Sequence, residues 1–481
     1  MRVALRSDAS AGSGVGHLVR SLALAEAAVA RGWEPVLLGA ADAPLAQRLT
    51  AAAAVPVLPA PADPRGWPAA AGGVDVLHVD HYDVPGDLRA EGLLVSSIED
   101  GAFGRRPADV VVDSTLGAEV AGRPDDGSGA VLLGVRYAPL RAAVRAARSA
   151  ARGGAVAAGD VLVVMGGTDA FGVGAAAARL AVLAGAGRVR VVAPGAAADA
   201  VRAAAPGAEV LGPQDDLPGL AATAGVVLSA AGTSVWELAC VGVPTALVAV
   251  TENQRTGYAR AVAAGIAAGL GSLEDVRAAD PSAVAALRIL LEDDARRAAL
   301  RAAGRSLVDG LGADRVLDAW WEGATGRPAL TARPATADDA GLLHGWRNDP
   351  TTRESSRSQN PVPLADHVRW LQGVLADPDR LLLVVERTGR PVATVRFDRV
   401  GPDLGEISVT LAPEARGRGV AGGVIAVAER LWRDRVGPGP AVLACVRPEN
   451  VASARLFAAA GYVRRAEPAD DGLDAYVKPG G

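Results

Sequence analysis

Val226-Val-Leu-Ser229-Ala-Ala-Gly232-Thr233-Ser234-Val-Trp-Glu237-Leu-Ala-Cys240 spells out a strand, a tight turn and a helix in fifteen residues. An apolar run ends at Ser229, small residues around Gly232 allow a sharp turn, and helix formers follow. A strand that feeds a glycine turn opening a helix is the building unit of an α/β sheet. The backbone amides of such a turn, with the positive end of the helix dipole, suit an anion. Gly232, Thr233 and Ser234 are therefore expected to hold a diphosphate, while Glu237, one turn inside the helix, reaches a ribose diol. A solvated helix position is the plainer alternative for Glu237.

The same alternation extends in both directions. Val3–Leu5, Val36–Leu38, Val74–Val79, Leu93–Ser97 and Val110–Val112 read as strands of one parallel sheet. Val161–Met165, Val189–Val192, Val226–Ser229 and Thr245–Val250 read as strands of a second. Ala/Leu-rich helical stretches separate them. The expectation is two Rossmann-like lobes, residues 1–150 and 151–325, joined by the Ala/Arg/Gly-rich stretch 141–160. Asp314–Trp321 reads as a closing helix, and Gly323–Pro328 supplies turn residues before a third domain at 329–481. A length of 481 residues fits about three units of ordinary size.

Composition removes several classes of function. Hydrophobic residues make up 50% of the chain and charged residues 21%, a globular balance. A net charge of -5 with no basic stripe argues against coating nucleic acid. With Cys240 and Cys445 alone, neither a disulfide framework nor a four-cysteine metal cluster can form. The first residues lack a signal-peptide core, and apolar runs such as 241–250 are short and broken by Pro244. A cytoplasmic protein with no membrane partner is expected.

Near the N-terminus, Arg6-Ser-Asp8 ends a strand, and Gly12, Gly14 and Gly16 lead into His17 and a helix carrying Leu18, Leu22 and Ala25. An imidazole at the mouth of such a loop can take a proton from water near neutral pH, with a cap or packing role as the alternative. Asp8, Asp80 and Asp100 fall just beyond strand ends, the side on which open α/β sheets bind ligands, though each could instead cap a helix. Asn253 and Gln254 follow a buried strand, where uncharged amides suit sugar or phosphate oxygens.

Arg6-Ser-Asp8, Gly14-Val-Gly16-His17-Leu-Val-Arg20, Val79-Asp80-His81-Tyr82, Ile98-Glu-Asp100, Leu133-Gly-Val-Arg-Tyr137-Ala-Pro-Leu-Arg141, Met165-Gly-Gly167-Thr-Asp169 and the 229–237 block together resemble the UDP-2,4-diacetamido-2,4,6-trideoxy-altropyranose hydrolases of pseudaminic acid biosynthesis. The resemblance covers about the first 320 residues. It implies a GT-B type pair of lobes and water attack on an anomeric carbon with UDP leaving. His17 would be the base, with Asp8 beside it as the second catalytic candidate. Gly14, Gly16, Arg20, Asp80, Tyr82, Asp100, Tyr137, Gly167, Gly232, Thr233, Ser234, Glu237, Asn253 and Gln254 would bind the UDP-sugar. The residues by themselves leave water and a sugar hydroxyl both open as nucleophile, and no cluster calls for a catalytic metal.

In the last third, Glu406–Leu411 reads as a strand and Ala412–Gly423 as a Gly/Arg-rich loop opening a helix, a set of amides for a pyrophosphate or else a basic surface loop. Arg416, Gly419 and Ala421 in that loop, with Asn450-Val-Ala-Ser453-Ala-Arg-Leu456-Phe457 downstream, resemble the acetyl-CoA site of the GNAT N-acetyltransferases. The resemblance implies an α+β domain with a mixed, mostly antiparallel sheet. It also implies acetyl-CoA as cosubstrate, held by Val409, Leu411, Arg416, Gly417, Arg418, Gly419, Val420, Ala421, Gly422, Asn450 and Ser453. Trp346-Arg347-Asn348 and His367-Val-Arg-Trp370 resemble the branch that acetylates the 4-amino group of a UDP-sugar in the same pathway. Phe457 stands where many relatives carry a proton-donating tyrosine, so no general acid is assigned. Glu406 is the candidate base through a water, or equally a salt-bridged strand residue.

Together these readings predict a bifunctional enzyme that acetylates a UDP-4-amino-4,6-dideoxy sugar and then hydrolyses the product. A glycosyltransferase fused to an acetyltransferase, action on a different nucleotide amino sugar, and a non-catalytic sugar-nucleotide lobe are the other readings that the residues permit.

Overall fold

The computed structural model describes all residues except 9–15, 41–43, 85, 152–158, 167–168, 170, 196, 327–329, 388, 417–419, 438, 466–471 and 481, together with the side chain of Asn253. The chain divides into two compact units, Met1–Arg327 and Pro328–Gly481.

The first unit holds two parallel sheets. Strands β1 (Arg2–Arg6), β2 (Glu34–Leu38), β3 (Val57–Leu58), β4 (Val76–Val79), β5 (Leu94–Glu99), β6 (Val110–Asp113) and β7 (Ala130–Leu133) lie in the order 3-2-1-4-5-6-7. Strands β8 (Asp160–Val164), β9 (Arg188–Val192), β10 (Glu209–Leu211), β11 (Val226–Ala230), β12 (Thr245–Ala249) and β13 (Ala268–Ser272) lie in the order 10-9-8-11-12-13. Both orders are those of a doubly wound α/β sheet, with direction of winding reversing between β1 and β4 and between β8 and β11. Every residue of β4, β5 and β6 is buried, as expected of strands covered on both faces, and this explains their unbroken apolar runs.

The two cores exchange helices. Val144 and Ala147 of the helix Ala142–Ala150, which precedes the second sheet in sequence, pack into that sheet's core with Leu162 and Val227. Ala313, Val316, Leu317 and Trp320 of the helix Gly312–Thr325, which the sequence places at the end of the second lobe, return to the core of the first sheet beside Val3 and Leu5. No helix among the described residues is long and apolar enough to cross a membrane.

The second unit is built on one mixed sheet of β14 (Leu330–Pro334), β15 (Arg380–Arg387), β16 (Arg390–Gly401), β17 (Leu404–Leu411), β18 (Ala441–Val446), β19 (Val463–Arg464) and β20 (Asp474–Lys478), in the order 14-15-16-17-18-20-19. All neighbours run antiparallel except β17 and β18. That parallel ladder joins only Leu404–Ile407 to Ala441–Ala444, although β17 continues to Leu411 and β18 to Val446. Beyond Ile407 the two strands part. The helix Ala421–Val436 covers the sheet, with Trp432 stacked on Phe397 at 5.0 Å between ring centres. A glycine is required opposite it, since a Cβ on Gly405 would lie 2.6 Å from the indole.

Candidate functional sites

In the first unit, described residues that follow β1, β8 and β11 line one cavity of about 360 Å³. Gly16 and Val19 line it from the first sheet, and Gly166, Gly232, Thr233, Ser234, Glu237 and Gln254 from the second, with Arg141 between them. A Cβ on Gly16, the first residue of the helix Gly16–Ala30, would stand 3.5 Å from Thr233 Oγ1, so that helix start and the turn at Thr233 face each other at van der Waals distance. Thr233, at the N-cap of the helix Ser234–Val241, makes no side-chain capping bond, which leaves the amide end of that helix open to a ligand. Gln254 accepts from the backbone N–H of Val250 at 3.0 Å through its amide oxygen, and its nitrogen lies toward Gly232. Burial raises the Glu237 carboxyl from 4.5 to about 7 against the opposing pull of Arg141, so near neutrality it can both donate and accept hydrogen bonds.

Next to Gly16, the His17 side chain turns into a charged cluster. Its Nδ1 lies 2.5 Å from Asp80 Oδ1, and Arg20 donates to Asp80 through Nε at 2.5 Å and Nη2 at 2.7 Å. Arg20 Nη1 reaches Asp100 at 2.9 Å, and the Tyr82 hydroxyl donates to the same carboxylate. Burial alone would raise the Asp80 carboxyl, but Arg20 and His17 hold it far below the ordinary carboxylate range. A carboxylate that remains ionised and only accepts places the imidazole proton on Nδ1, leaving Nε2 as the basic nitrogen. Tyr82 closes the cluster, its ring edge-on to His17 at 4.6 Å, and its phenol is pushed well above the usual range by burial and by Asp100.

In the second unit, the parting of β17 from β18 opens a cleft of about 610 Å³. Val409 and Leu411 line one side, Cys445 and Val446 the other, and Asn450, Ser453 and Phe457 the floor. The Asn450 side chain caps the helix Val451–Ala459, accepting from Ser453 N at 3.0 Å. Glu406 also lines the cleft and is paired with Arg357 at 2.9 Å. Tyr462 offers no substitute for a tyrosine at 457. It is 3% exposed and its hydroxyl donates to Glu429 at 2.7 Å, while Lys478 holds the other oxygen of that carboxylate.

A second cavity of about 440 Å³ adjoins the cleft, sharing Arg347, Ser356, Arg396, Ser408 and Thr410 with it. Trp346, Trp370 and His367 complete its wall. His367 is 4% exposed, and burial, with His344 and Arg347 nearby, lowers its pKa from the usual imidazole value. Arg396 lies over the ring of Trp370 at 5.7 Å.

Residues 329–463 match the family described as an Acetyltransferase (GNAT) domain. The second unit carries a GNAT acetyltransferase domain. Solved structures similar to it include an aminoglycoside acetyltransferase, AAC(6')-Ib, in complex with coenzyme A, at 20% identity over 31% of this chain and 95% of that one, TM-score 0.28. A spermidine N-acetyltransferase from Vibrio cholerae in complex with CoA and spermine aligns at 17% identity, 31% and 92% coverage and TM-score 0.27. The GNAT domain of S. lividans PAT aligns at 25% identity, 31% and 89% coverage and TM-score 0.27. No curated protein matches the chain.

Several expected site residues take other roles. Asp8 does not join His17: its carboxylate is taken up by Arg6 at 2.7 Å, the N–H of Ala40 at 2.9 Å and His81 at 3.2 Å, so it braces strand ends. Tyr137 packs against the first core under Arg136 and does not line the cavity, and Arg20, 5% exposed, orients the cluster from within. In the GNAT domain, Asn348 spends its amide on the backbone of Val362, with bonds of 2.8 Å to both its N–H and its carbonyl. Val420 is buried in the core and Gly422 is exposed outside the cleft, whereas Arg416 and Ala421 line the cleft, Arg416 held there by Asp349 at 2.6 Å and Thr352 at 2.8 Å. Glu406 both lines the cleft and makes the strand salt bridge that one of its two readings expects. Gly14, Gly167, Gly417, Arg418, Gly419 and the Asn253 side chain lie outside the described residues. Among those residues no group of three or more His, Cys, Asp or Glu could hold a metal ion. Arg141 and Gly166 stood within the quoted motifs without a role of their own, and Ser408, Thr410 and Arg396 went unassigned in sequence. Only the polar alternation Ser408/Thr410 on an otherwise apolar strand signalled a wetted face.

Proposed function

We propose that the chain carries out two consecutive steps on one sugar nucleotide. The GNAT domain transfers the acetyl group of acetyl-CoA to the 4-amino group of a UDP-4-amino-4,6-dideoxy sugar. The first unit then hydrolyses the UDP-2,4-diacetamido-2,4,6-trideoxyhexose so formed, in nonulosonic acid biosynthesis of the pseudaminic type.

For the hydrolase, the observation that carries the reading is the Gly16 helix start and the Gly232–Ser234 turn lining one cavity, next to an imidazole held by a buried carboxylate. The uncapped helix end at 232–234 and Arg141 suit the diphosphate, and Glu237 suits the ribose diol. Water attacks the anomeric carbon, the bond from that carbon to the phosphate oxygen breaks, UDP leaves, and His17 Nε2 takes the water proton. For the acetyl transfer, the parted strands leave backbone groups of 408–411 free to pair with the amides of a pantetheine arm, as a strand added to an edge would. The amine attacks the thioester carbonyl, the C–S bond breaks, the nitrogen gives up one proton to water, and the departing thiolate takes one from water, since Phe457 has none to give.

Phosphorus NMR of the diacetylated UDP-sugar with the protein tests the hydrolysis: UDP is expected to appear with no added acceptor. Release that depends on an added sugar would make the first unit a glycosyltransferase. Absence of release would leave it a binding lobe, and unchanged release by H17A would remove His17 as the base.

A further inference from the structure

Arg141 lines the cavity of the first unit and is aimed by one partner. Its Nε donates to Glu26 Oε1 at 2.9 Å, and no other protein oxygen among the described residues engages the guanidinium. The second oxygen of the same carboxylate, Oε2, accepts from the backbone N–H of Ala142 at 2.8 Å. Ala142 opens the helix Ala142–Ala150, whose own N-cap residue, Arg141, makes no side-chain capping bond. Glu26 therefore caps that helix from 116 residues away in the chain while it holds the arginine. We infer that Glu26 is a positioning residue, which fixes the Nε edge of Arg141 so that its Nη edge meets the leaving diphosphate in the cavity.

One carboxylate performs both tasks because of where it stands. Glu26 belongs to the helix Gly16–Ala30 that begins with His17's neighbour, seven residues after Val19, so the two share a helix face, and Val19 lines the cavity. Helical side chains lean toward the N-terminus, so Glu26 reaches back toward the Gly16 end. The pair is largely shut from water, with side-chain exposures of 18% for Glu26 and 14% for Arg141. There a charge-assisted bond is stronger than on an open surface and keeps the long arginine side chain in one geometry. Without that carboxylate the positive charge would remain in the cavity wall, but binding an anion would also have to order the side chain. Glu26 itself touches no part of the cavity lining and acts only through Arg141.

This role rests on the reading of the cavity as a diphosphate site, and a double-mutant cycle separates the two. The Kd of UDP is measured by calorimetry on the full chain for wild type, Glu26→Ala, Arg141→Ala and the double variant. Failure of wild type to bind UDP, or binding by Arg141→Ala within about twofold of wild type, removes the diphosphate reading and the role of Glu26 with it. Given a loss of affinity in Arg141→Ala, Glu26→Ala is expected to weaken UDP about tenfold in the wild-type background and to add nothing once Arg141 is gone. Loss of the helix cap lowers the melting temperature in both backgrounds alike, so a merely structural role would weaken UDP by the same factor in each. That equal weakening, or none in either background, would overturn the inference. Should Glu26→Ala fail to fold, the same cycle is run with Glu26→Gln, which keeps one accepting oxygen for the two donors. Weaker UDP binding that disappears in the Arg141→Ala background then supports the positioning role, and any other result overturns it.

Discussion

Asp80 shows how a single buried carboxylate can serve both stability and chemistry. It is flanked by Arg20 and His17 and shut from water, so its removal leaves the 5% exposed guanidinium with Asp100 alone. Asp80→Asn is expected to cost on the order of 3 kcal/mol in urea unfolding and to slow UDP release by about 100-fold or more. Glu237 behaves in the opposite sense. Its carboxyl titrates near 7 in the fold against 4.5 ordinarily, so the native state favours the protonated form, and ionisation erodes stability as pH rises from about 4.5 through about 7. Glu237→Gln should therefore melt like wild type at pH 4 and higher than wild type at pH 8, without ligand; equal melting at both would refute the burial effect. His78 reports from the core itself. It is fully buried between Ser96, at 3.0 Å, and the ring of Trp320, and burial depresses its pKa from 6.5 to about 4. The unfolded chain binds that proton below pH 6.5 and the folded chain does not until about 4, so roughly 3 kcal/mol of stability should drain away across that window. His78→Gln should flatten this part of the pH profile of urea unfolding.

At the scale of elements, the nine strands legible in the first two-thirds of the sequence are the inner strands of the two sheets. The four that passed unseen, β3, β7, β10 and β13, are the outermost of each. Inner strands are buried on both faces and announce themselves as apolar runs, whereas β3 and β7 are half exposed, Val57 and Val131 among their open residues, and carry no run to read. Strand pairing matters in another way in the GNAT domain, where the cleft exists because β17 and β18 stop pairing after Ile407. Gly405 lies in the paired part, under the indole of Trp432. Gly405→Ala should force the helix Ala421–Val436 off the sheet at a cost of about 1–3 kcal/mol. Calorimetry is expected to show the transition of the second unit lowered and that of the first unchanged.

For the whole molecule, the exchange of helices between the two sheets makes the first unit cooperative across its lobes. Trp320→Ala, a change beyond residue 311 that empties the core of the first sheet, should cost about 3–5 kcal/mol, and tryptic digestion should then cut within residues 1–140 before the second unit is touched. Cutting the chain between its two units tests the coupling of the proposed steps: UDP should appear after a longer lag than from the intact chain if tethering raises the local concentration of the intermediate, and an equal lag would dismiss it. Local order sufficed for what local physics controls. Apolar runs, glycine turns and the 416–423 and 450–457 motifs specified inner strands, turns and the acetyltransferase segment from short stretches alone, because burial on both faces and positive-φ or close-approach turns constrain residue choice at each position. Pairings between distant residues were decided by the tertiary structure. His17 with Asp80, Asp8 with His81, Glu406 with Arg357, Glu26 with Arg141 and the return of Trp320 to the first core each depend on which side chains the fold brings within reach, and the strength of a buried charge or polar contact is a property of that neighbourhood, absent from the chain until it folds.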